Sequence, residues 1–369
     1  MSLAVRSARR PLSLRDRAWR VADALAKPLL PPGTLDMISP LRPGAQLAGR
    51  VERIRLETPD AATLVIHPGA GWTGHIPGQY VRVGVEIDGV RHWRTYSLTS
   101  LTSLADRDGS SDGRIAITVK AIPGGLVSNH LVHAITPGTL VHLDDAAGDF
   151  VMTTPRPRKV LFITGGSGIT PVMGMLRNHL DELPDVVLLH SAPTPGDVIF
   201  AGDLAALAAT GRIRLVTRHT DTDGMLAFAD LPAIVPDWAE RETWVCGPGG
   251  MLDAAVTFYD AAGLADVLHV ERFRPHIVAG GEGGLLTFTA LDRAIDGDGS
   301  TPILETAEAA GVLMPSGCRM GICFKCVLPL TEGAVRDLRT GEITYAAPGD
   351  GVAIQTCISA PAGDCRLDH

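Results

Sequence analysis

The sequence predicts a multidomain chain: a small antiparallel β-barrel, then an α/β domain on a parallel sheet, then a compact α+β domain. Three observations predict it. Residues 46–153 hold short β-rich runs punctuated by Gly and Pro, the pattern of an antiparallel barrel. Residues 154–274 alternate apolar strand-like runs with helically spaced ones, the pattern of a parallel sheet. Residues 285–369 combine strands, one short helix and a cysteine-rich loop. A polar, Gly-rich stretch over 275–284 reads as a linker, and a basic, Pro-bearing arm covers 1–45.

Composition narrows the function. The chain has 369 residues, 45% hydrophobic and 20% charged, so it can bury full cores and is not a disordered protein. Its net charge of −8 argues against nucleic acid as a partner. No apolar run reaches the roughly 18 residues of a membrane span. The charge is uneven: residues 1–30 carry seven Lys/Arg against Asp16 and Asp23, and the rest carries −13. Arg9-Arg10 faintly suggests an export signal, but Arg15, Asp16, Arg17 and Arg20 interrupt the apolar stretch such a signal needs. The expectation is a cytoplasmic protein, in which structural disulfides among the six cysteines are disfavoured. The stretch 15–30 could form an amphipathic helix that packs on the body or holds the chain at an anionic membrane surface.

The elements follow in order. Strands are expected at QLAGRVERIRLE, ATLVIHP, YVRVGVEI, RTYSLTS, RIAITVKAI and TLVHLD, then at KVLFITGG, VVLLHS, RIRLVTRH and TWVCGP. After KVLFITGG a helix is expected, with Thr170 as N-cap and Pro171 at its first position. MLDAAVTFYDAAG reads as a helix stopped by Gly263. In the last domain LLTFTAL reads as a strand, and a helix is expected from Pro302 to near Gly311.

The most specific motif is PSGCRMGICFKC. Cys318, Cys323 and Cys326 stand in a C-x4-C-x2-C pattern, with Cys357 downstream in IQTCIS. This is the plant-type spacing for a [2Fe–2S] cluster: three thiolates on one tight loop and a fourth from a distant strand. Gly317 and Gly321 let backbone N–H groups approach the sulfides. Zinc is the competing reading, but zinc knuckles usually pair two C-x2-C units and only one is present. Residues 285–369 resemble a plant-type ferredoxin domain, which is β-grasp-like. The resemblance implies Cys318, Cys323, Cys326 and Cys357 as iron ligands, and leaves Cys365 as a spare thiol.

RTYSLTS places Arg94, Tyr96 and Ser97 in an R-x-Y-S pattern. Arginine suits a phosphate, tyrosine can lie on an isoalloxazine face, and a serine hydroxyl can hydrogen-bond N5, where hydride arrives. A strand on a barrel surface is the plainer explanation of the tetrapeptide alone. Further on, Gly124 and Gly125 precede a helix-like segment with Ser128 in its first turn, a candidate phosphate cradle. With PGQY at 77–80, these segments resemble the flavin domain of the ferredoxin–NADP reductase superfamily. The resemblance implies FAD, with FMN the less favoured alternative.

TGGSGITP lies between a strand and a helix, with Gly165, Gly166, Gly168, Thr170 and Pro171 as candidate pyrophosphate contacts. Pro171 takes the third glycine place, so this is not the G-x-G-x-x-G fingerprint. WVCGPGGM contributes Cys246, Gly247 and Pro248. By resemblance to the same superfamily, these lie beside the nicotinamide, with Ser97 and Cys246 on the hydride path. NADPH or NADH is the donor. Ser191 follows the second strand of this domain, Pro193 stands where NADPH-using relatives often carry Arg, and Arg218 on the next strand could substitute.

The three resemblances together imply an NAD(P)H-dependent electron-transfer reductase. Electrons would pass from NAD(P)H to FAD, then to the [2Fe–2S] cluster, then to a partner oxygenase, hydroxylase or fatty-acyl desaturase. Such a partner could be membrane-bound, and the basic arm would then hold the reductase at the membrane periphery. The alternative is a stand-alone NAD(P)H oxidoreductase reducing quinones, oxygen or metal ions. Met314, Met320 and Phe324 would shield the cluster or meet the partner, and His92 and Trp93 would pack on the barrel. Residues 283–369 carry eleven acidic and six basic side chains, which would favour a cationic docking face.

Overall fold

A computed structural model describes residues 19, 21, 34–102, 113–273, 281–317, 319–321 and 324–369. Two compact units divide the chain, Met1–Glu271 and Arg272–His369. The expected helix over 15–30 lies outside the described residues except for Trp19 and Val21, both helical.

Six antiparallel strands build the first half of the first unit: β1 (Ala48–Thr58), β2 (Ala61–Pro68), β3 (Tyr80–Ile87), β4 (Val90–Ser97), β5 (Ile115–Lys120) and β6 (Leu140–Leu143). Their order is β4-β3-β6-β1-β2-β5. A bridge between Leu98 and Ile117 ties the end of β4 to β5 and closes the sheet on itself. Alternation drives the closure: Val51, Leu64, Ile66, Val81, Val83, Ile117 and Val141 turn inward into one apolar core. Trp93 lies on Gly84, where a β-carbon would stand 2.9 Å from the ring, and under the Arg82 guanidinium at 4.8 Å. Trp93 is therefore barrel packing, as expected. Ahead of β1, the Arg42 guanidinium lies 5.9 Å from the Trp19 ring and pairs with Asp36.

The second half is a parallel sheet of β7 (Lys159–Gly165), β8 (Asp185–Ala192), β9 (Ile213–His219), β10 (Glu242–Cys246) and β11 (Leu268–Glu271), in order β11-β10-β7-β8-β9. The order reverses at β7, and in open α/β sheets ligands bind beyond the strand ends at such a switch. Helices α1 (Ile169–His179) and α2 (Gly249–Ala261) follow β7 and β10. Thr170 does not cap α1. A 3-10 turn over Gly166–Gly168 starts the coil earlier, Gly168 takes the cap position, and the Thr170 hydroxyl donates back to the Ser167 carbonyl. Pro171 is accordingly the third helical residue. Gly263 stops α2 as expected, with φ +70°. Ala61, Phe150 and Met152 join the core under α1, so the barrel and the parallel sheet share apolar packing.

The second unit is a mixed sheet in order β13-β12-β17-β14-β15, with β16 paired to β14. Its strands are β12 (Gly284–Phe288), β13 (Arg293–Gly297), β14 (Val327–Asp337), β15 (Ile343–Ala346), β16 (Val352–Gln355) and β17 (Ser359–Leu367). Helix α3 (Ile303–Ala309) packs on it, and Leu286, Phe288, Ile303, Leu304, Val335 and Leu367 form its core. Pro302 is the N-cap of α3, one place before the position expected for it. Cys365 is buried in this core, and burial pushes its thiol up to about 12, which suits a packing residue. Among the described residues no helix is long and apolar enough to cross a membrane.

Candidate functional site

Four of the singled-out segments converge on α1. At its N-terminal end, a β-carbon on Gly168 would stand 2.1 Å from the Cys246 carbonyl oxygen, so only glycine lets the two loops touch. Gly165 faces Pro248, and Gly247 faces the Gly165 backbone. The TGGSG and CGP loops therefore pack backbone to backbone at the strand ends of β7 and β10, with Gly166 at φ +52°. Farther along α1, a β-carbon on Gly174 would stand 2.4 Å from the Leu98 carbonyl oxygen, next to Ser97. Gly78 of PGQY meets Met175 of the same helix. Arg177 and Asn178 complete the join, through Arg177 Nη1 to Thr99 O at 2.7 Å and Asn178 Nδ2 to Ser100 O at 3.0 Å. Gly168 and Gly174 are separated by roughly 9 Å of helix rise. That short span joins the surroundings of Ser97 to those of Cys246.

Ser97 is buried, and its hydroxyl has no hydrogen-bond partner among the described residues. A bare buried hydroxyl is costly, and a flavin N5 is a group that would satisfy it. Arg94 and Tyr96 alternate on the same strand, in register with Val83 and Val81. Arg94 Nη1 donates to the Trp93 carbonyl at 2.8 Å. The Gly124–Gly125 turn lines a cavity of about 430 Å³ with Ile87, Leu126, Asn129 and His130. Gly124 has φ +69° and open space where a β-carbon would be. Ser128 is spent within this turn: its hydroxyl accepts from Ile122 N and donates to Gly125 O.

At the strand ends, Cys246 is fully buried, and burial first and Glu271 second push its thiol well above the ordinary value. It is a neutral thiol. Glu271 was not among the residues singled out from the sequence. It pairs in register with Cys246, is buried with Oε2 unpartnered, and is raised to about 8 by burial and by Asp149. It therefore holds a proton at neutral pH. A glutamate ending an expected helix-to-strand passage carries no signal in sequence; only the pairing of β10 with β11 places it. Ser191 and Arg218 stand opposite each other across β8 and β9. The Ser191 hydroxyl is buried and unpartnered. Arg218 already gives two donors to the carbonyls of Asp223 and Gly224. The larger cavity, about 620 Å³, opens at the opposite end of the sheet among Lys159, Asp185, Glu240 and Arg241. That ion-pair network ties the strand starts together.

In the second unit Cys326 and Cys357 are buried and face each other, and their mutual hydrogen bond lowers the Cys326 thiol to about 6. The Thr356 hydroxyl and N–H both reach the Cys326 carbonyl, fixing the approach of the two loops. Cys318 and Cys323 lie outside the described residues. Two buried thiols facing each other, with Cys326 drawn toward the anion, suit a soft metal centre. Phe324, between Cys323 and Cys326 in sequence, is 66% exposed, whereas Met314 is buried.

Known proteins match this arrangement. Residues 51–152 match the oxidoreductase FAD-binding domain family, 162–257 the oxidoreductase NAD-binding domain family and 290–362 the 2Fe-2S iron-sulfur cluster binding domain family. An NADPH oxidoreductase of Mycobacterium tuberculosis is 45% identical over 354 residues, covering 95% of this chain and 91% of that protein. The glycine betaine monooxygenase reductase subunit of Pseudomonas aeruginosa is 31% identical, covering 79% and 87%. Phthalate dioxygenase reductase shares the fold, with a TM-score of 0.61 over 87% of this chain and 97% of that one, at 20% identity.

Proposed function

The chain belongs to the flavin iron–sulfur oxidoreductases that join FAD-binding, NAD-binding and 2Fe-2S domains in this order, and from that premise we propose that it is the NADPH-dependent reductase component of an oxygenase. When bound, the nicotinamide supplies a hydride, the flavin divides the electron pair, and the cluster carries single electrons outward.

The chain's own residues do the rest. Gly165, Gly166, Gly168, Thr170 and Pro171 admit the pyrophosphate at the N-terminus of α1. Gly247 and Pro248 shape the nicotinamide side, and the neutral Cys246 packs there without competing charge. Ser97 gives its hydroxyl to the reacting edge of the flavin. Arg94, Tyr96, Gly124 and Gly125 hold the remainder of the flavin, and Ser128, expected from the sequence to contact it, instead braces the Gly124–Gly125 turn. Glu271 keeps a proton in reach of the same strand ends. Ser191 and Arg218 receive the 2′-phosphate. Cys318, Cys323, Cys326 and Cys357 ligate the cluster.

One observation carries the reading: α1 holds the loop of Cys246 against its first residues and the strand end of Ser97 against its middle, which sets a hydride donor and acceptor site on one rigid support. NADPH is favoured by the Ser191–Arg218 pair and by the relative named as an NADPH oxidoreductase. An oxygenase is favoured as acceptor by the relative named as a monooxygenase reductase subunit. The acidic surplus of residues 283–369 favours a cationic face on that partner.

Anaerobic titration with NADPH and with NADH, followed by visible absorbance and EPR, tests the proposal. NADPH should bleach the flavin and then raise a rhombic signal from the reduced cluster. A cluster that stays oxidised, together with fast partner-free turnover of a small quinone, would replace it with the small-acceptor oxidoreductase.

A further inference from the structure

The cluster loop contains a buried charged group besides the buried Cys326. Arg319, between the proposed ligands Cys318 and Cys323, has φ +62°. A left-handed backbone is strained for a residue with a β-carbon and persists only where its surroundings hold it. Glu308 of α3 does the holding: Arg319 Nη2 donates to Glu308 Oε1 at 2.5 Å. Both side chains are nearly out of solvent, at 11% and 15% exposure. Gly321, two residues on, is pinned from the other side by Gln355 Nε2 on its carbonyl at 3.0 Å, and a β-carbon there would strike Arg339 and Ile358. The loop is thus fixed between α3 and β16.

The Arg319 fork is only half used. Nε and Nη1 are buried and have no hydrogen-bond partner among the described residues. A desolvated cation with bare donors is among the costlier arrangements in a protein. We propose that the free edge of Arg319 donates hydrogen bonds to sulfur of the [2Fe–2S] cluster, and that the Arg319–Glu308 pair sets the cluster's reduction potential. This rests on the cysteine ligation proposed above. The cluster gains one negative charge on reduction, so a cation donating to its sulfurs favours the reduced state, and an anion behind that cation opposes it. Arg319 is a positioning and tuning residue in this account, with Glu308 as its counterweight.

The two side chains should shift the potential in opposite directions, which a packing role would not produce. In EPR-monitored redox titrations of the holoprotein, Arg319→Gln should move the reduced-to-oxidised ratio at fixed poise about tenfold toward oxidised, the worth of one charge-assisted hydrogen bond. Glu308→Gln should move it toward reduced, and Arg319→Lys should fall between Arg319→Gln and the parent. Wild-type protein carrying ¹⁵N only in the arginine guanidinium groups should show a ¹⁵N coupling in the pulsed EPR of the reduced cluster. That coupling needs no variant, so it decides the matter should Arg319→Gln fail to load iron. Absence of the coupling, or a Glu308→Gln protein with full cluster and unchanged potential, overturns the proposal. A wild-type protein without any [2Fe–2S] signal would instead sink the ligand assignment beneath it.

Discussion

Ser97 sits buried at the end of β4 with a hydroxyl that no described residue satisfies. Ser97→Ala should therefore leave flavin content unchanged and slow flavin reduction by NADPH on the order of 10²-fold, the usual effect of removing one donor at a reacting centre. Stopped-flow absorbance reads it directly. Gly168 makes the opposite case, a residue whose absence of side chain matters. Its φ is an ordinary −60°, so Gly168→Ala meets no backbone strain, only the Cys246 carbonyl. It should cost about 1–3 kcal/mol of stability through overpacking and weaken NADPH binding by parting the two loops. Thermal unfolding and flavin-quenching titrations separate the two effects. Glu271 gives a pH signature. Its folded value of about 8 lies above its ordinary value near 4.5. Between those limits the folded protein keeps a proton that the unfolded chain has released, so stability falls as pH rises through that window. Glu271→Gln should lose this slope, and its Tm relative to the parent should climb from pH 5 to pH 8. A parallel pair of Tm curves would contradict the buried, protonated carboxyl.

Helix α1 is the element on which the proposed chemistry of the first unit depends. Its glycines at 168 and 174 admit two carbonyls from different sheets, and its Arg177 and Asn178 bond the segment after β4. The two glycine loops were legible as motifs because each is contiguous. Their meeting was not, because nothing in either stretch names the other. The cap of α1 shows the same limit at short range: Thr170 followed by Pro reads as a helix start, but a 3-10 turn of glycines begins the coil before it. The cysteine loop is the corresponding element of the second unit. Phe324 there has φ +56° and is largely exposed, so its ring contributes little burial to offset its backbone strain. Phe324→Gly should raise stability by about 1 kcal/mol while the EPR signal of the reduced cluster is kept. A lower melting temperature would show that the ring packs inside the protein after all.

At the scale of the whole molecule the chain is two compact units, and they should respond differently to acid. His75 and His190 are buried in the first and lowered to about 4, in both cases chiefly by burial. Their ordinary value is 6.5. Below that value the unfolded chain binds protons that the folded unit refuses, so the first unit should lose stability as pH falls from 6.5 toward 4. Flavin release should then precede cluster bleaching as pH is lowered, and simultaneous loss of both would contradict it. The sequence by itself determined the order of domains, the two sheet types and the family, because alternation, glycine turns and cysteine spacing are local properties of contiguous segments. It also singled out the candidate site residues other than Glu271 and Arg319, each within a motif of a few positions. Only the tertiary structure decided which of those motifs meet, brought Glu271 beside Cys246 and left half of the Arg319 fork bare. Those outcomes depend on strand order, helix packing and burial, which join residues far apart in the chain.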